Sequence, residues 1–150
     1  MSKDGKKESP DHHDAELVIK LYDLRREQVM RDSRNAINAK FWPKSYEEVL
    51  AITKPDHPLN AAFRQTSSYW EMVYGMAKHG IVHANYLVEN NGEGLFLYAK
   101  IQPYLERFRT ENASPTAFQN AEWIAKNSEE GKRRFETIQN RVKKMAEMNK

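Results

Sequence analysis

Glu71 is the residue whose type and surroundings could most readily do chemistry in this chain. It stands in the segment YWEMVY, residues 69–74, between large apolar side chains. A carboxylate at such a place is either turned to the rim of the apolar stripe or buried, and a buried one needs a cation or a hydroxyl group as its partner. We therefore expect a structural ion pair that fixes how two helices dock, rather than a catalytic acid. The candidate cations are Arg25, Arg26, Lys100 and Arg109.

Aromatic side chains at helical spacing accompany this acid and could line a cavity for a small ligand. The residues of such a pocket would be Trp70, Glu71, Tyr74 and Tyr98. Ligand pockets are mostly apolar and carry a few polar groups that orient the ligand. A bundle of this size also needs its large side chains to fill the core. Core packing is the leading interpretation, and a ligand-binding or sensor bundle is the alternative.

The histidines and glycines do not form a catalytic or metal-binding pattern, and the chain has no cysteine. His79 and His83 have the spacing of two ligands on one helix face, but Gly80 lies between them and is expected to break the helix. Zero cysteines exclude disulfides and thiolate catalysis. The segment Gly92–Gly94 lacks the Lys and the Ser or Thr of a phosphate loop. The sequence predicts no catalytic residue, metal site or cofactor, and we expect a protein that is not an enzyme.

The elements that would position these residues are all helical. Apolar residues recur at intervals of three and four, and no stretch shows sustained two-residue alternation. The polar residues 1–13 are expected to form a disordered tail, because they cannot bury enough surface to offset the entropy of ordering. Residues 14–150 are expected to form a single domain. The predicted fold class is all-α, an irregular bundle of six to seven helices.

The first two helix boundaries follow from capping residues. Asp14 is the predicted N-cap of one long amphipathic helix that continues without Gly or Pro to about Lys40. Ser45 and Glu48 form a capping box at the start of a short helix.

The remaining boundaries follow from glycine and proline. A helix that opens near Pro58 is predicted to end at Gly80, and a short helix follows over 83–89. Ser114 and Pro115 are the predicted N-cap and first residue of a later helix. The last predicted helix covers 129–148.

This last helix carries an apolar seam and most of the surplus positive charge. The chain has a net charge of +3, and residues 126–150 hold eight basic against four acidic residues. A nucleic-acid-binding surface would add base-stacking aromatics to such a cluster, and here acids are interleaved with it, so nucleic-acid association is a less favoured hypothesis. The seam suits a partner helix, which makes a protein-interaction domain, with self-association into a homodimer as one form, the leading hypothesis. The seam residues are Phe135, Ile138, Val142 and Met145.

No run approaches the roughly 18 apolar residues that cross a bilayer, and the first residues lack the apolar region of a signal peptide. We therefore expect a cytoplasmic protein without a membrane partner.

Three segments resemble a known family. They are LVIKLYDLRREQVMRDSRNAI at 17–37, SYWEMVYGMAKHGIV at 68–82 and LYAKIQPYLERFR at 97–109. With these motifs, residues 14–110 resemble a bacterial family of small helical proteins of unknown function. The resemblance implies an α-helical domain, and it implies no activity and no catalytic residues.

Overall fold

The computed structural model describes residues 7–148, and these residues form eight α-helices and no strand. The predicted all-α class is confirmed. The helices are α1 His12–Arg25, α2 Gln28–Lys40, α3 Tyr46–Ile52, α4 Asn60–Lys78, α5 Ala84–Asn90, α6 Gly94–Glu111, α7 Gln119–Asn127 and α8 Glu129–Met148.

The core is built around α4, which packs against α2 and α7, while α6 packs against α8. The side chains of Trp70 and Tyr74 are buried and stacked, with ring centroids 5.7 Å apart. Two tyrosine hydroxyl groups fix this part of α4 between the other helices. Tyr69 donates to the carbonyl of Leu21 (2.6 Å), and Tyr74 donates to that of Asn91 (2.9 Å). The centre of the fold is therefore apolar but anchored by tyrosine hydrogen bonds.

The long first helix predicted from Asp14 to about Lys40 is wrong, because the chain breaks between α1 and α2. Glu27 adopts an extended backbone (ψ 145°), and its carboxylate accepts from the amide of Met30 (3.1 Å). The apolar stripe is also interrupted here, since Leu21 and Met30 are buried and the residues between them are exposed or only half-buried. The break therefore lets each helix turn its own apolar residues towards the core.

The first helix also begins earlier than predicted, at His12 with Asp11 as its N-cap. Asp14 is its third residue: its carboxylate accepts from the amide of Asp11 (2.8 Å), and Asp11 in turn accepts from the amide of Asp14 (3.2 Å). Of the predicted tail, residues 1–6 lie outside the described residues. Lys7 is described, and its ammonium lies 3.0 Å from the carboxylate of Asp14.

The helix start predicted at Ser114 and Pro115 is wrong by four residues. Residues 115–118 form a turn, and α7 begins at Gln119 after Phe118, which adopts a left-handed backbone (φ 58°). A left-handed conformation costs a non-glycine residue roughly 1–2 kcal/mol. Here it accompanies packing of the Phe118 ring against Phe63, with centroids 6.2 Å apart.

Other boundaries agree with the sequence. Gly80 has φ 74° and follows the end of α4, and the amide of Ile81 closes the helix by donating to the carbonyl of Met76 (2.8 Å). Ser45 caps α3 by accepting from the amide of Glu48 (3.2 Å). No helix within 7–148 is both long and apolar enough to cross a membrane.

Gly131 allows α8 to approach α7 closely. A Cβ atom at this position would lie 2.3 Å from the backbone oxygen of Ile124. We expect Gly131→Ala to lower the free energy of unfolding by about 1–3 kcal/mol, because the backbone must move. Elsewhere in a helix this substitution ordinarily stabilises. Urea denaturation checks the effect, with Asn140→Ala on the exposed face of α8 as control; unchanged or increased stability of Gly131→Ala would contradict the close approach.

Candidate functional site

The carboxylate of Glu71 lies at the N-terminus of α7. One oxygen accepts from the amide of Asn120 (3.0 Å) and the other from the amide of Ala121 (2.8 Å). These are the second and third residues of α7, whose amides have no partner inside the helix. A carboxylate there is favoured both by two charge-assisted hydrogen bonds and by the positive end of the helix dipole. Glu71 therefore supplies the cap that the left-handed Phe118 does not.

The contact between α4 and α7 is reciprocal. The side-chain amide of Asn120 donates to the backbone carbonyl of Glu71 (2.9 Å). Gly75, one turn further along α4, makes room for it, because a Cβ there would lie 2.8 Å from the same amide nitrogen. Burial raises the pKa of the Glu71 carboxyl, an effect opposed first by the two amide hydrogen bonds and then by the charge of Arg109. The acid is thus a half-buried group that joins α4 to α7.

The ion pair predicted for Glu71 is corrected to this helix cap. Arg109 lies instead against Glu122, with Nη1 3.1 Å from the carboxylate, and it donates to the carbonyl of Ala117 (2.7 Å). The guanidinium groups of Arg25 and Arg26 lie over the ring of Tyr22, at 5.1 and 5.6 Å from its centroid. Backbone amides are already held in place by the helix, so they bind the carboxylate without the entropy cost of ordering a long cationic side chain.

The aromatic members of the predicted ligand site lie inside the core. Trp70, Tyr74 and Tyr98 are at most 3% exposed. Tyr98 packs against Phe135 of α8, with centroids 5.2 Å apart. An open groove of about 490 Å³ does lie beside Glu71, but its other walls come from Arg64, Ser67, Ser68 and the turn 116–118. The structure therefore separates the predicted set: three residues fill the core, and Glu71 alone borders the groove.

Lys100 is a buried charged residue that the sequence indicated only as a possible partner of Glu71. Its side chain is 3% exposed, and its ammonium donates to the carbonyls of Ile37 (3.2 Å) and Asn38 (3.4 Å) in the last turn of α2. The same nitrogen lies 4.1 Å from the ring centroid of Trp42 and 4.3 Å from that of Phe96. Burial lowers the pKa of Lys100 to about 7. Phe96, one turn before Lys100 on the same helix, was the available sequence signal for this cage.

The histidines do not assemble a metal site in the described chain. No group of three or more His, Cys, Asp or Glu side chains within 7–148 could hold a metal ion. His83 instead caps α5, because its ring nitrogen Nδ1 accepts from the amide of Tyr86 (3.1 Å). Its backbone amide donates to the carboxylate of Asp14 (2.9 Å). The polar groups around the start of α5 thus hold helix ends in place.

The seam of α8 divides into two parts. Phe135 and Ile138 pack against the core. Val142 and Met145 are half-buried, but within residues 7–148 they do not pack on the core. In the first part Glu130 forms ion pairs with Arg133 and Arg134. The second part carries Arg141, Lys143 and Lys144. The apolar side chains of the first half of α8 thus pack on the core, whereas Val142 and Met145 in the second half, residues 139–148, do not within the described chain.

These features define an all-helical domain in which Asp14, Glu71 and Lys100 bind helix ends. Residues 10–128 match the family described as Domain of unknown function (DUF4760), and the chain belongs to this family. The matched residues contain α1 to α7, and α8 lies beyond them. No curated protein and no solved structure matches the chain. The resemblance to a family of unknown function is confirmed.

Replacing Glu71 by Gln tests the helix cap. The neutral amide cannot offer two acceptor oxygens to the amides of α7, so we expect retained helix content with a loss of about 1–2 kcal/mol in the free energy of unfolding. Circular dichroism and thermal melts measure both quantities. Glu106→Gln, an exposed glutamate on α6, is the matched control. A melting temperature equal to that of the wild type would contradict the capping role.

Replacing Lys100 by Met tests the buried amine. Since the folded pKa of about 7 lies below the usual value of 10.5, the unfolded chain binds the extra proton between these values, and wild-type stability should rise with pH there. We expect the wild type to gain about 1–2 kcal/mol between pH 7 and pH 9 relative to Lys100→Met. Urea denaturation at both pH values checks this, with exposed Lys20→Met as control. Parallel pH profiles for wild type and Lys100→Met would contradict it.

Proposed function

We propose that this domain is a non-enzymatic protein-interaction module that uses the free end of α8 as its docking helix. The observation that carries the proposal is the division of the seam on α8. Phe135 and Ile138 are taken up by the core, and Val142 and Met145 continue the same stripe without packing on the core in the described chain.

A helix that extends from a folded body with an apolar stripe is suited to a groove on another protein. Anchors at intervals of three and four residues are the means by which a helix docks in such a groove. Full burial of a Val or Met side chain contributes about 1.5–3 kcal/mol, so two such anchors support a reversible contact rather than a permanent one. The partner is either a second copy of the chain or a different protein, and we place the module in the cytoplasm.

The charged residues that could suggest catalysis bind helix ends instead, which supports this proposal. Glu71 caps α7, Lys100 lies on the last carbonyls of α2, and Asp14 joins the starts of α1 and α5. Asp14 and Lys100 are buried and Glu71 is half-buried; each holds a helix end, and moving it to act on a substrate would release that end.

A second candidate function is favoured by the groove beside Glu71. Its volume of about 490 Å³ lies within the range of small-molecule sites. If it binds a ligand, blocking it with Ser67→Trp should abolish a ligand-induced rise in melting temperature, while exposed Asn140→Trp on α8 should not.

Deleting residues 139–150 tests the main proposal. We expect the melting temperature to stay within about 2 °C of the wild type, because Val142 and Met145 are not among the side chains that pack on the core within residues 7–148. Photo-crosslinking groups at position 142 and, as control, at exposed position 20 should then give a discrete partner product from position 142 alone. Light scattering distinguishes a second copy from another protein. A drop of more than about 5 °C on deletion, or equal products from both positions, would contradict the docking role.

A further inference from the structure

The free half of α8 carries cations whose charge the described chain does not neutralise. In the first half, Arg133 and Arg134 each form an ion pair with Glu130. Within residues 7–148, no carboxylate lies within 4.0 Å of the cationic groups of Arg141, Lys143 or Lys144. This end of the helix is therefore both apolar on one stripe and positively charged around it.

The cations are arranged along the edges of the apolar stripe. At about 100° per residue, Val142 and Met145 lie on one arc of α8. Arg134 and Arg141 lie along one edge of this arc, and Lys132 and Lys143 lie near the other.

Among the acids of α8, Glu130 lies beside the edge of Arg134 and Arg141, in the first half of the helix, where it pairs with Arg133 and Arg134. Glu129, Glu136 and Glu147 follow a line on the side turned away from the seam. A partner that covers the stripe would therefore meet positive charge along both edges, and its own edges must be negative to match.

A second copy of α8 does not meet this condition. Two such helices packed along their free seams would bring arginine and lysine edges together, which is unfavourable.

An anionic membrane matches the charge of this helix end, but the apolar stripe does not suit insertion into a membrane. Helices that lie in a membrane surface use Trp, Phe or Leu to enter the acyl region. The free stripe of α8 offers Val142, Met145 and Ala146 instead. A methionine surface of this kind adapts to the side chains of a protein groove or helix.

We propose that the free half of α8 binds an acidic amphipathic helix of another protein, with Val142 and Met145 against its apolar stripe and Arg141 and Lys143 against its acids. This inference rests on the proposed function and adds the chemistry of the partner. The contact needs both parts, because charge alone would not distinguish this helix end from other basic surface.

The probe is a fluorescent peptide of about 20 residues with Leu at helical spacing and Glu along both edges, tested by anisotropy against the full chain. The matched probe has Lys in place of Glu. We expect micromolar binding of the Glu peptide, no binding of the Lys peptide, and weakening of at least severalfold as NaCl rises from about 50 to about 300 mM.

Two variants separate the charged and apolar parts. Arg141→Glu/Lys143→Glu and Val142→Ser/Met145→Ser should each weaken binding at least about tenfold, or about 1.4 kcal/mol. The control Lys20→Glu/Lys54→Glu makes the same change of net charge as the charge variant at exposed positions outside α8 and should change binding less than about threefold. Circular dichroism confirms that each variant is folded.

Several outcomes overturn the inference. Equal weakening by the α8 charge variant and by its control shows that net charge alone is responsible. Tighter binding to vesicles with about one-third phosphatidylserine, or to duplex DNA, than to the Glu peptide assigns the cations to lipid or nucleic acid. If the chain without 139–150 melts normally but the full chain does not bind the Glu peptide, only the acidic chemistry of the partner is rejected. Destabilisation on deletion rejects the docking role itself.

Discussion

The bond between the Glu71 carboxylate and the first amides of α7 is the constraint on which the second half of the fold depends. The chain enters α7 through Phe118, whose apolar side chain cannot accept from those amides. Glu71 provides both acceptors from α4, at 3.0 and 2.8 Å, and so fixes where α7 begins. Because Gly131 brings α8 against the backbone of Ile124 in α7, the placement of α8 follows from the same bond.

Capping of one helix by another recurs through the molecule. The ammonium of Lys100 lies on the last carbonyls of α2, and the carboxylate of Asp14 accepts from the amide that begins the turn into α5. The side-chain oxygen of Asn85 accepts from the amide of Glu130 (3.2 Å) at the start of α8. Short helices leave many backbone amides and carbonyls unpaired for their length. The eight helices within residues 7–148 are therefore stabilised by polar contacts between helices as well as by the core.

The sequence predicts the features whose cause is local. Gly80 and the pair Ser45–Glu48 act within one turn, so helix class and several boundaries could be read from spacing alone. The cap of α7 could not, because Glu71 and Asn120 are 49 residues apart and no local pattern connects them. For the same reason the sequence offered cationic side chains as partners of this acid, whereas in the structure its carboxylate accepts from two backbone amides of α7.

The way α8 is held bears on what it can bind. Its first half is fixed by Gly131 and by the packing of Phe135 on Tyr98, so its second half is presented as a formed helix in a set direction. A short helix in isolation would be marginally stable, and a partner would have to order it on binding. Anchoring one half in the core removes much of that cost, which allows a seam of only two apolar residues, with cations on its edges, to support a specific contact.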